Sequence, residues 1–445
     1  MIATAGCRWL RMAQVTNQVR YIALLLLVLF TFSGALRAEE PLHFLSTQLT
    51  PVYEAEKMRN VILKDYEGSV DFQPYDDRKV FQSVVKGEGV TASPGLIGGL
   101  HGDFVGLREG EALKNLSGLL PSLSSKHINK KFITLGSLES KKQYFIPWMQ
   151  ATYIMAAHRR ALKYLPKGAK LNSLTYEQIK VWAANMHRVT GEAKLGFPVG
   201  RKGLMHRFLQ GYLYPSFTGT MVGGFKGENA HTMWRFMKQL WEHVNLRSLT
   251  YTEMDDPLLS GDVWVAWDHT ARLMEAFKQK PDDYIAFPAP AGPKGRGFMV
   301  VLAGLGIPSM TPDSEASERL ISYLTEPEVQ LKMLESVGFF PVVQSDQVTS
   351  LPKGLEKVRA AVSQQSSAPD ALPTLLPVGL EERSGDFNLL YLQSFTKIVL
   401  GNLPIEVVLE KQAERMNKLL NSVNAHSDHP MRQVVAPVRF DNPFL

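Results

Sequence analysis

The segment WVAWDHT, residues 264–270, gathers the side chains of this 445-residue chain best suited to ligand chemistry. Trp264 and Trp267 offer flat apolar faces, while Asp268 and Thr270 add a carboxylate and a hydroxyl. A polyhydroxylated ligand has the matching make-up, with C–H faces that stack on rings and hydroxyls that bond to carboxylates and amides. On an extended strand Trp264, Ala266 and Asp268 share one face, and Val265, Trp267 and His269 the other. One tryptophan then faces a core. Trp148, just after QYFIP, and Tyr212, in a segment that reads as a polar loop with Tyr214, are further aromatic candidates.

Catalytic signals are weak by comparison. The sequence has no HExxH, no GxSxG, no P-loop and no Rossmann glycine pattern after a strand. Ser350–Lys353 spells SxxK without its partner motifs, and Gly292, Gly295 and Gly297 read as a hairpin turn between two strands. The histidines from His101 to His269 are scattered, and none of them pairs with a carboxylate or a second His at metal-ligand spacing. These residues predict no catalytic group, no cofactor and no metal. A secreted hydrolase, the reading from another class, would need paired carboxylates or a nucleophile beside a base.

The elements that must position these residues come next. A hydrophobic fraction of 45% and a charged fraction of 21% are ordinary for a globular chain. The formal charge is +6, of which Arg8, Arg11 and Arg20 lie in residues 1–35 with no acid among them. The small remainder, without a dense basic tract, excludes nucleic acid as a partner. Arg20, the apolar run at 21–32 and the small residues up to Ala35 and Ala38 predict a signal peptide over 1–38, cleaved after either alanine, and hence a periplasmic protein. The single cysteine, Cys7, precedes that run, so the remainder has no disulfide.

Beyond the leader, strands and helices alternate. Residues 42–47 predict a strand and 52–66 a helix; 132–136 and 143–147 predict strands, and 153–164 a helix. Thr175 and Gln178 form a capping box for another helix, and 228–245 is amphipathic. A strand at 263–268, a helix at 269–279 and strands at 283–288 and 298–307 follow. A helix at 315–324 then precedes one opened by a Thr325/Glu328 capping box and stopped at Gly338. The loop at 377–387 leads to two helices divided at 401–404. The alternation predicts α/β architecture with mainly parallel sheets and a ligand at the carboxyl ends of the strands.

In their order and spacing, QYFIPWMQATYIMAAHRRALKYLP, LTYEQIKVWAANM, LLSGDVWVAWDHTARL, IAFPAPAGPKGRG, VVLAGLGIP and SEASERLISYLTEPEVQLKMLESVGFFPV resemble the family 1 extracellular solute-binding proteins of ABC importers. The resemblance, to a maltose-binding-protein-like group, extends over residues 42–423. The resemblance implies a two-lobed periplasmic-binding-protein fold, type II-like, with discontinuous lobes joined by a hinge. Residues 39–150 plus 299–342 would form lobe 1, residues 151–298 plus 343–425 lobe 2, and 426–445 a tail without counterpart. It implies a monomer that captures a small solute, most simply a sugar or polyol, and presents it to membrane permease subunits; a sensor subunit is the variant. By position in the family pattern, Thr50, Glu54, Asp103, Gln150, Asp268, Thr270, Gly304 and Tyr391 join the ligand-binding candidates. Two departures speak against a maltose-like oligosaccharide and for a smaller solute. Ala303-Gly304-Leu305 lacks the family's aromatic, and Ala156-Ala157 replaces its tyrosine–asparagine. Arg201, Lys202 and Arg207 read as solvated surface, with an anionic solute (a sugar acid or glycerophosphate) as the alternative; Asp103 with Asp268 would suit an amine such as a polyamine.

Overall fold

Short apolar runs bounded by turn residues become strands here, and the longer amphipathic stretches become the helices that cover them. The computed structural model describes residues 40–88, 93–312, 314–343, 351–375 and 383–424. The leader, the tail at 426–445 and most of the loop at 377–387 lie outside the described residues.

The strands are β1 (Leu42–Ser46), β2 (Val70–Pro74), β3 (Leu96–Leu100), β4 (Ile146–Ala151), β5 (Tyr153–His158), β6 (Leu195–Gly196), β7 (Val265–His269), β8 (Tyr284–Phe287), β9 (Arg296–Gly306) and β10 (Ala371–Leu375). They form two sheets. One runs β10-β9-β3-β1-β2 with β4 also on β9; the other runs β6-β7-β5-β8. All eleven residues of β9 are buried. Its first half pairs in parallel with β10, from Arg296 opposite Ala371 to Val300 opposite Leu375. Its second half pairs antiparallel with β3 and β4.

Three stretches of chain pass between the sheets side by side. Between β4 and β5 only Thr152 intervenes, and its Oγ1 donates to the Met299 carbonyl of β9 at 2.7 Å. The third stretch lies alongside: Gln150 and Phe340 exchange backbone bonds of 3.0 and 2.7 Å, and Gln150 Nε2 donates to the Pro341 carbonyl at 2.6 Å. Tyr212 locks the same place. Its hydroxyl accepts from Tyr153 N at 2.9 Å and lies 3.0 Å from Thr152 Oγ1.

Several expectations are corrected. Residues 153–164 are not one helix but β5 and a 3₁₀ turn, Arg159–Tyr164, because β7 and β8 pair with β5 on both edges and override its helical spacing. Residues 132–136 belong to the helix Lys130–Gly136, which Asn129 caps by accepting from Lys131 N at 2.9 Å. Tyr212 and Tyr214 stand in a continuous buried helical run from Met205 to Thr218, not in a polar loop. The Thr325 hydroxyl bonds back to the Ile321 carbonyl at 2.8 Å, closing the preceding helix; the next, Pro327–Val337, starts after Glu326 without a side-chain cap. Gly292 and Gly295 do make a tight turn, but β8 and β9 belong to different sheets, so there is no hairpin. The sheets are mixed rather than mainly parallel, because β9 runs against β3 and β4, and β5 against β7 and β8. The Thr175/Gln178 capping box forms as expected, with bonds of 3.0 and 3.2 Å.

Candidate functional site

A cavity of about 160 Å³ opens where the three passages meet the ends of both sheets. From the first sheet, Leu49, Thr50, Pro51 and Glu54 line it, at the junction of β1 with the helix Val52–Lys57, together with Leu100 at the end of β3. Leu49 is a buried residue held at φ 57°, a left-handed conformation rare outside glycine, and it turns Thr50 and Pro51 onto the cavity wall. From the second sheet come Tyr153 at the start of β5 and His269 at the end of β7, which pair directly across the strands. Arg207, on the helix Met205–Phe208, and Arg272, in the turn after β7, complete the polar wall, while Val301 and Phe339 supply apolar surface from the passages.

Burial sets the electrostatics. Glu54 is 5% exposed, and desolvation raises its pKa to about 7 against the opposing pull of Arg272. The Tyr53 hydroxyl donates to it at 3.3 Å. His269 falls to about 3 through burial and is neutral. Its Nδ1 accepts from Ala271 N at 3.2 Å, which leaves Nε2–H as a donor. Arg207 is 8% exposed; burial lowers its pKa to about 10, so it keeps its charge at neutral pH. It meets the Tyr153 hydroxyl and Gln210 Oε1, the latter at 3.3 Å, and lies in the opposing fields of Asp103 and Arg78. Arg272 donates to the carbonyls of Lys202 and Thr252 at 3.2 and 3.0 Å. Among the described residues, no carboxylate forms an ion pair with either guanidinium. The solvated-surface reading therefore fails for Arg207, although Arg201 and Lys202 are exposed as expected.

Of the sequence candidates, Thr50 and Glu54 line this cavity. Asp103 is saturated by the protein itself: it accepts from Leu100 N and Thr47 Oγ1, both at 2.8 Å, and pairs with Arg78 at 2.8 Å. Asp268 accepts from Met254 N and His269 N on the far face of β7, at 3.0 and 2.7 Å. Trp267 is wholly buried, one layer behind the cavity; Tyr153 stacks on it at 4.9 Å, nearly parallel. Trp264 stacks on Tyr164 instead, between Arg160 and Lys194. Trp148, Gln150, Tyr212, Thr270 and Tyr391 are fully buried, and the Tyr391 hydroxyl donates to the Met221 carbonyl. Gly304 is pressed against Phe145, whose ring carbon would lie 2.1 Å from an added Cβ.

Tyr153, Arg207, His269 and Arg272 are the polar wall residues that sequence reasoning did not select as ligand contacts. A strand reading of 153–158 would have exposed Tyr153 as His269's partner. No local pattern marks the burial of Arg207.

Two sheets linked by three adjacent passages, with a polar cavity beside them, define the class as a two-lobed α/β binding protein. The model of the bacterial extracellular solute-binding protein family matches residues 87–353, more than half of the chain, and the protein belongs to that family. No curated protein sequence matches it. Solved structures share the two-lobed fold. UgpB from Mycobacterium tuberculosis in complex with glycerophosphocholine has a TM-score of 0.67 at 16% identity, over 86% of this chain and 98% of that one. Maltose-bound T. maritima MalE3 has a TM-score of 0.69 at 16% identity, over 85% and 100%. The ABC transporter solute-binding protein from Agrobacterium vitis S4, with bound D-mannitol, has 0.67 at 15% identity, over 87% and 100%. Among the described residues no helix is long and apolar enough to cross a membrane.

Proposed function

We propose that this chain is the periplasmic receptor of an ABC importer, free of catalytic activity, and that it captures one small polyhydroxylated solute, a sugar or polyol. The observation that carries the proposal is the cavity, whose walls come from both sheets and whose back is formed by the passages between them. A solute held there touches both halves at once only when they are closed, so it shifts the population towards closure. Membrane permease subunits would then read the closed form. The maltose and D-mannitol bound by structures of the same fold support a hydroxylated ligand. At about 160 Å³ the cavity lies below the roughly 300–1,000 Å³ of drug-sized sites, which favours a single ring over an oligosaccharide.

The lobes of this reading are 39–150 plus 299–342 and 151–298 plus 343–425, with the hinge at Thr152, Val301 and Pro341. Export by the signal at 1–38 and action as a monomer belong to the same proposal. A thermal-shift screen against sugars, polyols, amino acids and polyamines tests it. A ligand that binds only the folded form, at 100 times its Kd, adds about 2.7 kcal/mol and raises the melting temperature by several degrees. Hits among hydroxylated solutes are expected; a response confined to amines would reject the proposal.

A further inference from the structure

We infer that the solute carries an acidic group, a carboxylate or a phosphate, held by Arg207 and Arg272 while its hydroxyls meet Glu54 and His269. The inference rests on the proposed function and narrows its substrate class.

The argument is one of charge and burial. A guanidinium withdrawn from water needs a compensating charge or a full set of acceptors. Asp103 has its own cation, Arg78, and Glu54 lies within the field of Arg272. Arg207 has no carboxylate bonded to it: the Asp103 that it feels is engaged by Arg78, whose own charge offsets that attraction. It lines the cavity, is nine-tenths buried, and is met by a phenol and an amide rather than a carboxylate. Guanidinium groups present N–H donors in a planar fork that matches two acid oxygens. Two guanidiniums on one small cavity suit a compact anion far better than a neutral polyol, which brings Arg207 no bonded counter-charge. The opposite ligand, an amine, would add a third positive charge to the same space.

Isothermal titration on the purified protein tests this, with D-glucuronate, D-gluconate and glycerol 3-phosphate set against D-glucose and D-mannitol. At least one acid is expected to bind about 100-fold tighter than the neutral solutes, and the acid preferred distinguishes carboxylate from phosphate. Arg207→Gln is expected to lose about 100-fold in affinity for that acid without lowering the melting temperature of the unliganded protein, because it removes a buried charge that the free protein leaves unpaired. Arg272→Gln, less enclosed by the fold, is expected to weaken the same acid and serves if the first variant does not fold. Equal or tighter binding of D-glucose or D-mannitol would overturn the inference and leave the proposed function standing. Undiminished acid binding by the variants would also overturn it. Silence from acids and neutral solutes alike would remove both.

Discussion

Glu54 shows how a single residue can tie the site to pH. Its carboxyl titrates near 4.5 in an open chain and about 7 when buried beside the cavity. The folded state thus holds the proton more tightly than the unfolded one, and stability falls as pH rises from about 4.5 to about 7. A shift of this size corresponds to about 3 kcal/mol. Asp255, raised by burial to about 7 as well, adds to the same decline. Glu54→Gln is therefore expected to lessen the loss of stability as pH rises from 5 to 8, alongside what Asp255 and the buried Asp268 still contribute, and to be the more stable protein at pH 8. Urea midpoints at the two pH values measure this. An unchanged pH slope in the variant would mean that Glu54 is not desolvated.

At the scale of elements, the passages between the sheets depend on Tyr212. Its hydroxyl accepts from Tyr153 N and donates to the Tyr153 carbonyl at 3.0 Å, with Thr152 Oγ1 equally close. Tyr212→Phe leaves the Tyr153 amide without that acceptor, at a cost of about 1–3 kcal/mol in chemical denaturation. It is also expected to change solute affinity, since Tyr153 forms part of the cavity wall. Loss of stability with unaltered affinity would separate the passages from binding.

This region also marks the limit of what the sequence reveals. The α/β alternation, the β7 run, the Tyr176–Thr190 helix with its capping box and the Gly338 stop were all legible, because each follows from local spacing and turn chemistry. The strand β5 was not, since Ile154, Ala157 and Ala161 repeat at helical intervals and only pairing on two edges decides otherwise. At the site, alternation on β7 correctly separated Trp267 and His269 from Asp268. It could not say that Tyr153 would cover Trp267, nor that Arg207 would be buried, because both depend on residues more than fifty positions away.

For the molecule as a whole, strand β9 governs how it can be assembled. Its two halves knit β10 to β3 and β4, so neither sheet edge beside it is complete without residues near position 300. A chain emerging from the ribosome displays the apolar β3 segment Leu-Ile-Gly-Gly-Leu about 200 residues before its partner exists. At 5–20 residues per second that interval is roughly 10–40 s, during which an unpaired edge invites aggregation. A product truncated after residue 300 is accordingly expected to elute as aggregate in size-exclusion chromatography, and a soluble, cooperatively melting fragment would contradict this. Such a chain gains from a holdase that keeps it unfolded until its last third has been made. The same late closure suits a polypeptide threaded through a membrane before it folds.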